Sequence, residues 1–140
     1  MTGSDVVQRY VDTYNSGDSA GLGAFYAEDV VLEDPLMPEP TKGRDTVLAT
    51  AAAFRRAFPD MVWTVTGDPV VASGAIAWEV HAAGTMTGPM PGPEGEIPAT
   101  GRSFAVDMGI FWTLGPDDRI TEEHAHFDAT GMLAQLGLTP

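Results

Sequence analysis

Apolar residues near the start of the chain recur at helical spacing. Val6, Val7, Tyr10, Val11 and Tyr14 fall on one side of a helix expected from residue 5 to about 15, with Ser4 placed to cap it and Asn15-Ser16-Gly17-Asp18 placed to end it. A short second helix is expected around Ala20 to Tyr26. It leads into Val30-Val31-Leu32-Glu33-Asp34-Pro35, a β-branched run that stops at a proline, which has no N–H to continue a ladder. Asp34 therefore sits at a strand end. LMPEPTKGR reads as a proline-rich loop, and Asp45 to Phe58 as a third helix closed by Pro59.

From Met61 onward the period changes to two. MVWTVTG, AIAWEVHAAGTM, RSFAVDMGIFWTL and RITEEHAHFD are strands separated by Gly-, Pro- and Asp-rich connections, which predicts an antiparallel sheet over the second half. Helices first and strands afterwards make an α+β arrangement in which one face of a curved sheet packs on the helices, as a single domain over residues 1–140. GPMPGPEGEIP is the one compositionally biased stretch and is expected to be a mobile loop or lid.

The last strand carries the densest chemistry. By strict alternation Ile120, Glu122, His124, His126 and Asp128 share one face, and Thr121, Glu123, Ala125 and Phe127 the other. The polar set fits a wet sheet face, as antiparallel sheets often keep. It also fits a pocket in which a partly desolvated carboxylate beside a histidine titrates near neutrality and moves protons, and Ile120 within the set favours the pocket. Other positions carry two readings each. Asp34 is a turn residue bonding backbone N–H groups or a general base fixed at a strand end. Tyr10 is a core tyrosine or a donor to a developing enolate oxygen. Asp107, inside the apolar run FAVDMGIFW, is edge-exposed or deliberately buried, and His81 is a satisfied structural histidine or part of the site.

Charge narrows the ligand. Seven basic residues against twenty acidic ones give a formal net charge of −13, and Lys42 is the only lysine. No cationic footprint for nucleic acid or anionic lipid exists, so the expected ligand is a neutral or aromatic small molecule. The chain has no cysteine, which removes thiolate chemistry and Cys-based metal sites, and His124 with His126 alone does not make a metal site. The first residues lack the basic start of a secretory leader, and no apolar run is long enough to span a membrane, so a cytoplasmic protein is expected. Serine-nucleophile, phosphate-loop and dinucleotide motifs are missing, which leaves acid–base chemistry with no cofactor.

The short motifs NSGD, FYAEDVVLEDP, KGRD, FPDM, GTMTG, PATGR and FDATGMLAQLGL, in this order and spacing, resemble those of the SnoaL-like polyketide cyclases, within the group sharing the nuclear transport factor 2 and ketosteroid isomerase fold. The resemblance implies a cone-shaped barrel: a curved antiparallel sheet wrapped around N-terminal helices, an apolar cavity, and a homodimer formed through the sheet. It implies that His126 and Asp128 point inwards, and that Asp128 is the general acid–base of an intramolecular aldol closure in a neutral or aromatic polycyclic small-molecule substrate of the polyketide type. Arg9-Tyr10-Val11 and Leu32 to Pro35 also look like the oxyanion tyrosine and base aspartate of ketosteroid isomerase, with Asp107 as the nearest equivalent of that enzyme's second donor. The site expected on this basis comprises Asp128, Asp34, Tyr10, His126 and Asp107 as catalytic groups. His81, His124, Trp63, Phe54 and Met108 complete it as binding residues. A cyclase using an enolate is the first expectation. A double-bond isomerase and a non-catalytic binding domain are its alternatives.

Overall fold

The computed structural model of the protein describes residues 3–92 and 94–138. Helix α1 spans Gly3–Asn15 and buries Val7, Tyr10 and Val11, the i, i+3, i+4 set that its sequence announces. Ser4 lies inside the helix and is not its cap. The far end is held from outside: Asn15 exchanges two 2.8 Å hydrogen bonds with the backbone of Trp63, and Arg55 Nη2 donates to the Tyr14 carbonyl at 2.6 Å. The Arg55 bond satisfies one of the carbonyls that a helix C-terminus leaves open, and the Asn15 bonds tie the helix end to the strand that carries Trp63.

A single 3-10 turn, Ala20–Ala24, replaces the expected second helix, with the amide of Gly21 donating to Asp18 Oδ1 at 2.9 Å. Strand β1 then runs Tyr26–Glu33, so Tyr26 opens a strand and does not close a helix. Thr41–Lys42 forms β2 and Arg44–Ala57 forms α2. The remaining strands are β3 Val62–Val65, β4 Val70–Ala72, β5 Ala75–Thr85, β6 Met90–Gly92, β7 Gly95–Ile97, β8 Ser103–Leu114 and β9 Ile120–His126, followed by α3, Ala129–Gln135. No helix among the described residues is long and apolar enough to cross a membrane.

The main sheet has the order β2-β1-β9-β8-β5-β3, with β4 also on β5, and it curves around α1 and α2 without closing, as the α+β expectation requires. It is mixed and not purely antiparallel, because β1 from the first half pairs in parallel with β9. Strands β5 and β8 form the long central ladder, from Ala75↔Thr113 to Thr85↔Ser103. Their inner faces bury Ile76, Trp78, Val80 and Ala82 and, opposite, Phe104, Met108, Ile110 and Trp112. Within the stretch expected to be a loop or lid, Met90–Gly92 and Gly95–Ile97 form a separate two-stranded sheet of β6 and β7. Its Met90 is buried, 3% exposed, against α2.

One irregularity decides which side of β9 faces the core. Thr113 pairs with Glu122, yet the next residue, Leu114, pairs with Ile120, so Thr121 is an extra residue on β9. A bulge of this kind shifts the parity of everything beyond it. Ile120 before the bulge and Glu123 and Ala125 after it all face inwards, and Glu122, His124 and His126 face outwards.

Candidate active site

Between the inner face of the sheet and α1 and α2 lies a cavity with an empty volume of about 860 Å³, its open mouth included. Phe54, Phe58, Met61, Phe104, Met108 and Met132 make most of its wall apolar. Tyr14 stacks on Trp63 with ring centroids 4.2 Å apart and forms one side of it. Among the described residues, the lining includes no lysine, arginine or histidine, and its two carboxyl groups are Asp34 and Glu123.

Asp34 directly follows β1, where Pro35 ends the pairing. Its Oδ1 accepts the Leu36 amide at 2.8 Å. Burial raises its pKa above the ordinary carboxylate value, and bonds from the Leu36 and Met37 amides pull in the opposite direction. Asp34 and Ala125 also line a second, outer groove of about 630 Å³, between the Pro35–Pro40 loop and His124 and His126. The carboxyl thus stands between an apolar interior and a wet exterior.

Glu123 is placed by β9 just past the bulge and is only 5% exposed. Trp112 Nε1 on β8 donates to its Oε1 at 2.7 Å, and the Tyr26 hydroxyl is within hydrogen-bonding reach. Burial lifts its pKa from 4.5 to about 7. The negative field of Asp34 adds to the rise, and the bonds from Trp112 and Tyr26 restrain it. The Tyr26 hydroxyl lies 2.5 Å from that of Tyr10, and burial keeps both phenols protonated far above their ordinary range. A carboxyl that titrates at about 7, a second whose pKa burial raises, and a pair of neutral phenols beside them are equipped for proton abstraction next to a carbonyl and for stabilising the oxyanion that results.

Of the residues expected from sequence, Asp34, Tyr10, Trp63, Phe54 and Met108 line the cavity together. The others lie elsewhere. Asp128 is exposed and caps α3, accepting the Gly131 amide at 2.8 Å. His126 is exposed and meets the ring of Phe111 edge-on at 5.7 Å, so neither it nor Asp128 points inwards. Asp107 and His81 pair with each other at 2.8 Å on the outer face, and His124 sits 3.0 Å from Glu33 and 3.7 Å from Glu122. Counting the bulge puts His124 and His126 outside, plain alternation does the same for His81 on β5 and Asp107 on β8, and Asp128 lies past the end of β9. Sequence reasoning missed Glu123, Tyr26 and Trp112; the one available signal was Ile120, an apolar residue in a polar set, which marks a change of parity. Among the described residues no group of three or more His, Asp or Glu side chains is disposed to hold a metal ion.

Residues 4–136 match the family model of the SnoaL-like polyketide cyclases, which is nearly the whole chain. The protein belongs to that family.

Solved structures agree. Wild-type IdmH of Streptomyces antibioticus, proposed to be a polyketide cyclase, is 30% identical over 98% of this chain and 99% of its own, with a TM-score of 0.73. A proposed SnoaL-like polyketide cyclase of Jannaschia sp. CCS1 is 17% identical over 96% and 92%, with a TM-score of 0.76. A protein of Catenulispora acidiphila with the ketosteroid isomerase-like fold, in complex with trimethylamine, is 20% identical over 99% and 96%, with a TM-score of 0.78. The last two speak for the fold alone.

Proposed function

We propose that this SnoaL-like protein is a cofactor-independent acid–base enzyme that closes a ring in a neutral, polyketide-type carbonyl compound through an enolate. The observation that carries the reading is the pair Asp34 and Glu123 in an otherwise apolar cavity lined by no basic side chain. An anionic substrate would meet like charge there, whereas a neutral aromatic polyketone fits the wall and finds a base and hydroxyl donors. Asp34 is the general base, because its carboxyl is raised by burial yet open to the outer groove, where its proton exchanges with solvent. Tyr10 supports the enolate oxygen. Holding the folded chain with its nucleophilic carbon against the acceptor carbonyl adds the advantage of proximity.

The test is conversion of a carrier-free aromatic polyketone ester to its ring-closed isomer, followed by mass-resolved chromatography, in wild type and Asp34→Asn. Loss of activity by about 10²–10⁴-fold in the variant supports Asp34 as base; retention of activity overturns it.

A double-bond isomerase is the second reading, favoured by Tyr10 and Asp34 sharing the cavity wall. Asp107 is on the other side of the sheet, so the second oxyanion donor in that reading is Glu123. Absorbance of a conjugated enone formed from a β,γ-unsaturated ketone decides it: turnover makes the isomerase primary, and none removes it. By the same resemblance, we propose that two copies pair through the outer face of the sheet, where Phe111 and Val62 are each 52% exposed.

A further inference from the structure

Four polar groups run in an unbroken line from the inner face of the sheet to the cavity wall. Trp112 Nε1 donates to Glu123 Oε1 at 2.7 Å, the Tyr26 hydroxyl reaches the Glu123 carboxyl, and the Tyr26 and Tyr10 hydroxyls lie 2.5 Å apart. Tyr10, Tyr26 and Trp112 are 3%, 2% and 1% exposed, so water does not compete for these bonds. Asp34, beyond β1, is the other titratable group whose charge Glu123 feels, and Tyr14, on α1, stays neutral in the field of Glu123. Its strand neighbours Glu122 and His124 point to the outer face.

A phenol has one proton to give, so the direction of such a chain is set at its end. When Glu123 is ionised it accepts from Tyr26, Tyr26 accepts from Tyr10, and the Tyr10 proton is turned away from the cavity. When Glu123 is protonated, Trp112 still occupies Oε1 and the acid O–H donates to Tyr26. Tyr26 then donates to Tyr10, whose proton is free for an oxygen in the cavity.

We propose that Glu123, Tyr26 and Tyr10, with Trp112 fixing the carboxyl, form a directional proton relay that presents the Tyr10 O–H to the substrate's carbonyl oxygen only while Glu123 carries a proton. The relay rests on the reading of the cavity as a site of enolate chemistry. In the forward step Asp34 takes the carbon-bound proton, the C–H pair forms the enolate double bond, and the carbonyl π pair moves onto oxygen. Tyr10 protonates that oxygen, Tyr26 replenishes Tyr10, and Glu123 replenishes Tyr26 and ends ionised. In ring closure the enol carbon attacks the second carbonyl, the enol proton returns along the hydroxyls to Glu123, and Asp34 gives its proton to the new alkoxide. Protons and electrons balance without a co-reactant. Tyr10 is the catalytic donor, and Tyr26, Glu123 and Trp112 are positioning residues.

A neutral probe tests the relay without turnover: methyl naphthyl ketone, isotopically labelled at its carbonyl carbon, bound to the intact protein. Its carbonyl stretch is read by infrared difference spectroscopy at about pH 5 and about pH 9, on either side of a carboxyl titration near neutrality. In wild type the stretch is lowered at the acidic pH and relaxes at the alkaline one, and affinity falls about tenfold, the worth of one hydrogen bond. Glu123→Gln and Tyr26→Phe each remove the pH dependence and leave the donor on, Tyr10→Phe leaves the stretch unshifted throughout, and Asp34→Asn keeps the pH dependence with its midpoint moved to lower pH, because the negative field of Asp34 no longer helps Glu123 hold its proton. A wild-type stretch indifferent to pH overturns the relay, as does a dependence that survives Glu123→Gln and vanishes in Asp34→Asn. Unsubstituted naphthalene separates the two levels of failure. If it binds while the ketone's stretch ignores pH, only the relay falls; if neither molecule binds, the cavity reading falls and the relay with it.

Discussion

Glu123 keeps its proton up to a pH of about 7 because burial penalises the charged form, whereas the unfolded chain returns it to an ordinary 4.5. Between those values the folded state binds a proton that the unfolded chain has released. The contribution to stability is therefore full below 4.5 and is lost as pH rises through about 7, a decline on the order of 3 kcal/mol from this residue. Urea midpoints measured across that window should fall with rising pH in wild type and flatten in Glu123→Gln; an unchanged slope in the variant removes Glu123 as the group responsible. Asp128 calls for a contrasting expectation. It is an exposed helix cap whose Oδ1 accepts the Gly131 amide. Asp128→Ala should cost about 1 kcal/mol in the same unfolding assay and leave ring closure intact. Loss of turnover with an unaltered midpoint would restore it to the active site.

Strand β9 shows at the scale of an element why some of this was legible in the sequence and some was not. The helical spacing of Val7, Tyr10 and Val11, and the alternation in AIAWEVH and in FAVDMGIFW, each point to residues that are indeed buried on one side. Asp34 was legible because a proline after a β-branched run fixes a strand end. Glu123 was not, because alternation read without a bulge gives the wrong face to every residue after Thr121, and backbone pairing between β8 and β9 has no local sequence signature. The parallel pairing of β1 with β9 was equally hidden, being a contact between distant segments. Deleting Thr121 tests the bulge: Leu114↔Ile120 and Thr113↔Glu122 then become consecutive pairs of a regular ladder, with Ile120 and Glu123 still inside and Glu122, His124 and His126 still outside. The variant should therefore fold, with a thermal midpoint close to that of wild type and Glu123 still buried. A deletion variant that fails to fold would show that Thr121 does more than take up the extra position.

The whole molecule combines a net charge of −13 with an outer sheet face that exposes Phe111 and Val62 among polar side chains. Phe111 stands 52% exposed on β8, beside the exposed His126, and the His81–Asp107 pair lies on the same side. Pairing two copies across this face would bury Phe111, and the favourable apolar term would compete with repulsion between two strongly acidic bodies. Salt screens the repulsion over about 10 Å at 0.1 M and leaves the apolar term in place. Sedimentation velocity should therefore find a dimer whose fraction grows with ionic strength, and Phe111→Glu should shift it to monomer by placing an uncompensated charge in the contact. The cavity lies against the opposite face of the sheet from Phe111, so ring closure per chain should be unchanged in that variant. If the monomeric variant lost activity in proportion to its loss of pairing, the partner copy would be part of the working site; if wild type sedimented as a monomer at every salt concentration, the outer face would have some other occupant.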